Sequence, residues 1–182
     1  MEINFITHNM GKLKEARLIL EPGIAVNHIN LEYDEVQHDD IRAVAKKSAE
    51  TLSLMLNKAV VVDDSGLFIA ALNGFPGAFS STIHKQIGLP GILKLMDGVK
   101  DRTCAYRCAV AHCRPGKRAE VFLGEEKGTI STGIRGSYGF GHDPIFIPEG
   151  EARTYGEIEG CESLKKFRRQ AFEQLKGYLL NN

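Results

Sequence analysis

Val60-Val61-Val62-Asp63-Asp64-Ser65-Gly66-Leu67 is a run of three β-branched residues that ends in two adjacent carboxylates. A short apolar run of this composition reads as a buried strand. Two acids at its end are costly to bury unless water, a metal ion or a cation meets them, so the strand is expected to finish at a cleft. Ser65-Gly66 suits a tight turn, and Leu67 to Leu72 resumes an apolar pattern able to start a helix. Asp64 or Ser65 as the N-cap of that helix accounts for one acid. A catalytic or metal-binding pair accounts for both.

Toward the N-terminus, Glu2 to Thr7 alternates polar and apolar as a strand does, and Thr7-His8-Asn9-Met10-Gly11-Lys12 leads into a helical stripe carried by Leu13, Ala16 and Leu20. Strand, short polar loop, helix is a geometry that aims backbone N–H groups and the positive end of the helix dipole at whatever lies above the loop. Thr7 and Asn9 can add side-chain hydrogen bonds, and Lys12 a positive charge. The loop therefore either holds phosphate or is a capped helix start with a solvated lysine. Pro22-Gly23 ends this helix, and Ile24 to Leu31 reads as a second strand. The acidic stretch from Glu32 to Asp40 reads mostly as a solvated loop. Ile41 to Asn57 has helical periodicity, with Val44, Leu52 and Met55 apolar and Lys46, Lys47 and Glu50 polar.

Toward the C-terminus, Asn73-Gly74-Phe75-Pro76-Gly77-Ala78-Phe79 is rich in turn formers, and Ile83 to Met96 predicts one or two short helices around Gly88-Leu89-Pro90-Gly91. Thr103 to Cys113 reads as a strand, Arg114-Pro115-Gly116-Lys117 as a hairpin turn, and Ala119 to Leu123 as the return strand, with extended chain on to Ile134. Cys104, Cys108 and Cys113 lack the paired Cys-x-x-Cys spacing of a zinc site. On a strand, Cys104, Tyr106, Cys108 and Val110 instead share one buried face. In Gly139-Phe140-Gly141-His142-Asp143-Pro144, the glycines let backbone approach a flat ligand, Phe140 offers a stacking face and Asp143 an acceptor. Glu162 to Leu180 predicts a final helix that carries Lys165, Lys166, Arg168 and Arg169, either as a ligand-facing cluster or as a solvated face.

Strands and helices alternate early and a hairpin follows, which predicts an α/β fold with a central mixed sheet. The 182 residues, 43% of them hydrophobic, fit one domain spanning 1–182. Lys+Arg and Asp+Glu both number 23, so no basic excess announces a nucleic-acid partner. No apolar run approaches the roughly 18 residues of a membrane span. The first residues also lack the basic and apolar stretches of a signal peptide, so no membrane partner is expected and a cytoplasmic location is.

Taken together, Thr7-x-Asn9-x-x-Lys12, Asp63-Asp64-Ser65-Gly66-Leu67, Asn73-Gly74-Phe75-Pro76-Gly77 and Gly139-Phe140-Gly141-His142-Asp143-Pro144-Ile145-Phe146 resemble the inosine/xanthosine triphosphate pyrophosphatases, in the family's order and over nearly the whole chain. The resemblance implies an elongated mixed β-sheet flanked by helices, with two lobes around a central nucleotide-binding cleft, in a homodimer. It implies Mg²⁺-dependent hydrolysis of ITP, XTP and dITP to monophosphate and pyrophosphate, a sanitation of the nucleotide pool. By resemblance, Thr7, Asn9, Lys12 and Ser65 bind the substrate, the first three at its triphosphate. Glu35, Asp63 and Asp64 bind metal, and Asp64 is the essential acid. A lysine in the helix after the acidic loop touches phosphate, Lys47 or its neighbour Lys46. Phe140 stacks on the base, with Gly141, His142 and Asp143 around it, and Lys166 and Arg168 read its edge.

Two departures stand out. His142 replaces the family's usual Tyr or Trp. Lys166-Phe167-Arg168 stands where the family carries Ser-His-Arg, and the family's upstream lysine falls at Glu162. The lost histidine leaves Lys165 or Lys166 to donate to a base oxo group. It also keeps two alternatives open: a related nucleotide pyrophosphatase with altered base selectivity, and a non-hydrolysing nucleotide-binding protein.

Overall fold

The computed structural model describes residues 1–21 and 23–181; Pro22, part of the expected helix end, lies outside the described residues, as does Asn182. The chain forms β1 (Glu2–Ile6), α1 (Met10–Leu20), β2 (Ala25–Ile29), α2 (Ile41–Leu56), β3 (Val60–Ile69), α3 (Ser80–Leu95), β4 (Thr103–Cys113), β5 (Glu120–Ile130), β6 (Phe146–Pro148) and α4 (Lys166–Asn181). The six strands make one mixed sheet in the order β2-β1-β3-β4-β5-β6. β1 runs parallel to β2 and β3, and every later pairing is antiparallel.

The β-branched start of β3 puts it at the centre of this sheet, and strand alternation then sorts its side chains to two faces. Val61, Leu67 and Ile69 join the core against α1 and α4, with Leu13, Leu20, Phe167 and Phe172. Val60 and Val62 join the core against α2, with Ile41, Ala45 and Leu52. The next strand shows the same division. Cys104, Tyr106, Cys108 and Val110 lie in the first core, as their spacing predicts, and Ala109, Ala111 and Cys113 in the second. All four cysteines are buried and free.

The expected turn at Ser65-Gly66 and helix from Leu67 are corrected. β3 stays extended through Ile69, because its partner β4 is long enough to pair every residue from Val60↔Cys113 to Ile69↔Cys104. Gly66 has another reason to be glycine: a Cβ there would lie 2.0 Å from the carbonyl oxygen of Gly77. The Asn73–Phe79 loop folds back onto β3 at this point. Ser80 Oγ receives the Leu67 N–H at 2.8 Å and donates to Gly77 O at 2.7 Å, which fixes the start of α3 over the strand.

α3 is two helical stretches that meet at a non-helical Gly88 (φ 61°), as the sequence around Gly88-Leu89-Pro90-Gly91 predicts, with the first stretch starting earlier, at Ser80. Two further boundaries differ. β5 continues past Leu123 to Ile130, held between β4 and β6. The final helix begins at Lys166, because Cys161–Ser163 forms a separate short turn. No helix among the described residues is long and apolar enough to cross a membrane.

Candidate active site

Adjacent residues of a strand face opposite ways, so Asp63 and Asp64 present their carboxylates to the two sides of the sheet. Both are buried, and both line a cleft of about 440 Å³ at the end of the parallel strands. Thr7, Asn9, Lys12, Glu35, Ser65, Phe140, Gly141, His142, Asp143, Lys165 and Arg168 line the same cleft.

The loop before α1 is both of the things its sequence allowed. Asn9 caps the helix, its Oδ1 accepting the Lys12 N–H at 3.1 Å, and Thr7 Oγ1 accepts the Asn9 N–H at 3.1 Å. Lys12 is nonetheless turned inward. Its Nζ donates to the Asp63 carbonyl at 3.0 Å and stands 3.3 Å from Asp63 Oδ1. Burial, and next the charge of Arg168, lower the pKa of this amine. The helix N-terminus and an ammonium thus converge on one end of the cleft, the arrangement that suits phosphate.

Asp63 is neutralised. Arg168 pairs with its Oδ2, and the same guanidinium reaches Glu15 Oε2 and Ser65 Oγ, the last at 3.1 Å. Glu15, wholly buried on α1, also receives Lys165 Nζ at 2.7 Å, and that ammonium lies 2.8 Å from Asp143 Oδ2. The result is a line of alternating charge, Asp143, Lys165, Glu15, Arg168, Asp63, Lys12, that runs from the aromatic loop to the phosphate loop. Burial alone would lower the pKa of Lys165, but Asp143 and Glu15 outweigh it and raise that pKa.

Among the described residues no cation pairs with Asp64 in this way. Its Oδ1 accepts the Ser65 N–H at 2.9 Å, and its Oδ2 is buried with no hydrogen-bond partner among those residues. Burial raises its pKa to about 6; Lys12 opposes that rise and the nearby Glu35 adds to it. Glu35 itself is exposed at the cleft wall and accepts from Tyr33 Oη at 3.1 Å. Among the described residues no group of three or more His, Cys, Asp and Glu side chains stands ready to enclose a metal ion. A hard divalent cation that completes its shell with phosphate oxygens and water needs only one or two carboxylates. The unpartnered Asp64 Oδ2 and the nearby Glu35 are donors of that kind, and Asp63 Oδ1, 3.3 Å from Lys12 Nζ, lines the same cleft.

At the aromatic loop, Phe140 lies between Gly139 and Gly141, both at positive φ. One side of its ring rests on α1, where a Cβ on Gly11 would come within 2.5 Å of it, and Lys165 Nζ stands 4.1 Å from its centroid. Asp143 braces this loop from within. It accepts the Phe140 N–H at 2.7 Å, Lys165 at 2.8 Å and Tyr106 Oη at 3.2 Å, and burial raises its pKa against the pull of Lys165.

Three expected residues stand elsewhere. Lys46 and Lys47 are exposed on α2 and do not line the cleft. Lys166 is exposed on the far side of the turn, its N–H held by Glu126 at 2.8 Å, and Lys165 takes the inward position instead. Phe167, where a histidine would stand, is buried with its ring stacked on Tyr106 at 4.9 Å. Sequence reasoning missed Glu15 and His84. Glu15 was visible in principle, since it lies one turn from the buried Ile19 on the apolar side of α1.

A second hollow, of about 720 Å³, lies on the β4–β5 face. Its Arg107 already pairs with Glu125 at 2.7 Å and covers the Phe68 ring, so that charge is satisfied.

The model of the Ham1 family matches residues 3–178. A dITP/XTP pyrophosphatase of Pyrobaculum aerophilum is 46% identical over 183 residues, covering 100% of this chain and 97% of the relative. One of Methanopyrus kandleri is 43% identical, covering 100% and 98%. Among solved structures, the Staphylococcus aureus Ham1 protein superposes with a TM-score of 0.84 at 28% identity over 100% of this chain and 99% of that one. A HAM1 protein from Coxiella burnetii gives 0.83 at 27% identity over the full length of both.

Proposed function

Starting from the premise that this chain belongs to the Ham1 family, we propose that it hydrolyses non-standard purine nucleoside triphosphates such as dITP, XTP and ITP to monophosphate and pyrophosphate. The observation that carries this reading is the single cleft in which Lys12, the Asp63-Asp64 pair and Phe140 meet. An anion-holding helix start, a group of oxygen donors and an aromatic ring on one cleft support a reading in which it takes a triphosphate, a metal and a base.

Thr7, Asn9, Lys12 and the N-terminus of α1 bind the phosphate chain, and Ser65 helps place the acids. Asp64 takes the proton of the attacking water on its carboxylate. In the metal-free cleft burial holds the pKa of Asp64 near 6, so the carboxylate is still ionised at neutral pH. Attack at the α-phosphorus releases pyrophosphate, and Lys12 stabilises charge on the phosphate oxygens. The oxygen donors of Glu35, Asp64 and Asp63 suit Mg²⁺, which when bound neutralises phosphate charge and aligns its oxygens. Asp63 serves chiefly as an anchor, keeping Arg168 and Lys12 in place. Phe140 stacks on the base, held by Asp143.

The buried Phe167 favours a second reading, a pyrophosphatase of the same kind with shifted base selectivity. One experiment tests both: product analysis with ITP, XTP, dITP, GTP, ATP and modified pyrimidine triphosphates in Mg²⁺. Pyrophosphate released fastest from ITP, XTP and dITP supports the first reading, and from a modified pyrimidine the second. Binding without turnover would make the protein a nucleotide sensor. The same reading includes a cytoplasmic homodimer, which sedimentation analysis of the purified chain checks for its oligomeric part.

A further inference from the structure

Among the described residues, six buried side-chain polar atoms have no hydrogen-bond partner. Four of them belong to residues that line the cleft: Asp63 Oδ1, Asp64 Oδ2, His84 Nδ1 and His142 Nε2. The two carboxylate oxygens serve the acid end. The two imidazole nitrogens belong to the end where Phe140 stands, and the reaction derived above leaves them idle.

They come from separate elements. His84 projects from α3, which Ser80 and Gly77 fix over β3, and His142 from the loop between Phe140 and Asp143. Their rings meet edge to face, with centroids 5.0 Å apart and planes at 72°. His142 is only 4% exposed. Burial, and then the neighbouring His84, lower its pKa to about 4, so at neutral pH it is uncharged and offers one donor and one acceptor. The other polar groups beside Phe140 are already committed: Asp143 to Phe140, Lys165 and Tyr106, Lys165 to Glu15 and Asp143, and Arg168 to Glu15 and Asp63.

We propose that His84 and His142 form a specificity-determining pair that hydrogen-bonds the polar edge of the bound base, through its exocyclic oxygens and ring N–H groups. This inference rests on the cleft being a nucleoside triphosphate site. Buried polar atoms left unpaired in a complex penalise it, so a base whose edge does not match the pair is rejected and not merely held less well.

The test compares wild type with His142→Phe and His84→Phe, which keep a ring but remove its nitrogens, and with His142→Asn, which restores a donor and an acceptor. Thermal melting and circular dichroism establish that each variant is folded. Should His142→Phe fail to fold, the half-buried His84→Phe carries the test alone. KM and kcat are measured for ITP, XTP, dITP and ATP. The pair predicts a rise in KM for ITP and XTP of roughly 10-fold or more, with kcat changed less than about 3-fold. It also predicts a narrower preference over ATP, partial rescue by His142→Asn, and a double variant less than additive. An unchanged KM, an equal loss for ITP and ATP, or a loss for ITP that is absent for dITP, which would assign the pair to the sugar, overturns it. If the wild type hydrolyses none of these, the proposed activity fails instead. The pair is then judged on ITP and ATP binding by calorimetry, where an unaltered preference in His84→Phe overturns it.

Discussion

Asp63 and Asp64 are neighbours in sequence, equally buried, and opposite in circumstance. On the α1–α4 side, Asp63 is met by Arg168 and Lys12, in a line of alternating charges that begins at Asp143 and ends at Lys12. On the α2 side, Asp64 has a free buried oxygen and a carboxylate neighbour in Glu35, and its pKa is pushed up to about 6. The two faces of one strand thus divide the labour. A carboxylate met by cations holds other groups still, and one without them is available for chemistry, at a cost in stability that the fold must absorb.

The largest effect that would break this contrast is on turnover. Asp64→Asn should lower kcat by about 10²- to 10⁴-fold, the usual worth of a general base, as read from pyrophosphate release. Next comes the buried line of charge. Glu15→Ala leaves Lys165 and Arg168 buried without their shared partner and should destabilise the protein by about 3–5 kcal/mol in denaturant melts. Asp63→Asn should destabilise as well, since it takes from Arg168 one of its two carboxylate partners and leaves Glu15 alone to meet that charge.

The sharper prediction is one of sign. The pKa of Asp64 rises from 3.8 in the unfolded chain to about 6, so its protonated form is the one the fold favours. Its contribution to stability is full below about pH 3.8 and lost as pH rises through 6. Asp64→Asn should therefore stabilise the metal-free protein at pH 7, by up to about 3 kcal/mol at 1.36 kcal/mol per pKa unit. His142 acts in the opposite sense. With its pKa lowered from 6.5 to about 4, its contribution is intact above 6.5 and lost as pH falls toward 4. Between about pH 4 and 6 the two slopes oppose each other, and the Asp64→Asn variant should expose the histidine's as a steeper loss of stability on acidification. Titration of Asp64 by NMR should show the inflection near 6 and its displacement downward when Mg²⁺ is added. The smallest effects are expected at Lys47 and Lys166, whose side chains lie outside the cleft. Alanine at either should change KM by less than about 3-fold, the modest range of exposed charges.

The contrast also explains what the sequence could reveal. The acid pair at the end of a β-branched run, the capped loop before α1 and the glycine-flanked Phe140 are local patterns, each decided by a few adjacent residues. Ser65-Gly66 misled because a turn-forming pair was pinned into a ten-residue strand by β4 and by the close passage of Gly77, neither of which is local. Glu15 stayed hidden because its partners lie 150 and 153 positions away. Lys165 and Lys166 are adjacent in chain, and only the short turn at Cys161–Ser163 decides which of them faces inward. His84 carries no motif, and its meaning comes from the ring it touches.

The most direct test of this account measures turnover and ITP affinity together in the Asp64→Asn variant with Mg²⁺ present. Pyrophosphate release lowered at least about 100-fold, the lower bound for a lost general base, with ITP still bound within a few-fold of wild type, is the predicted result. Near-normal turnover in that variant would contradict the assignment of Asp64 as the base.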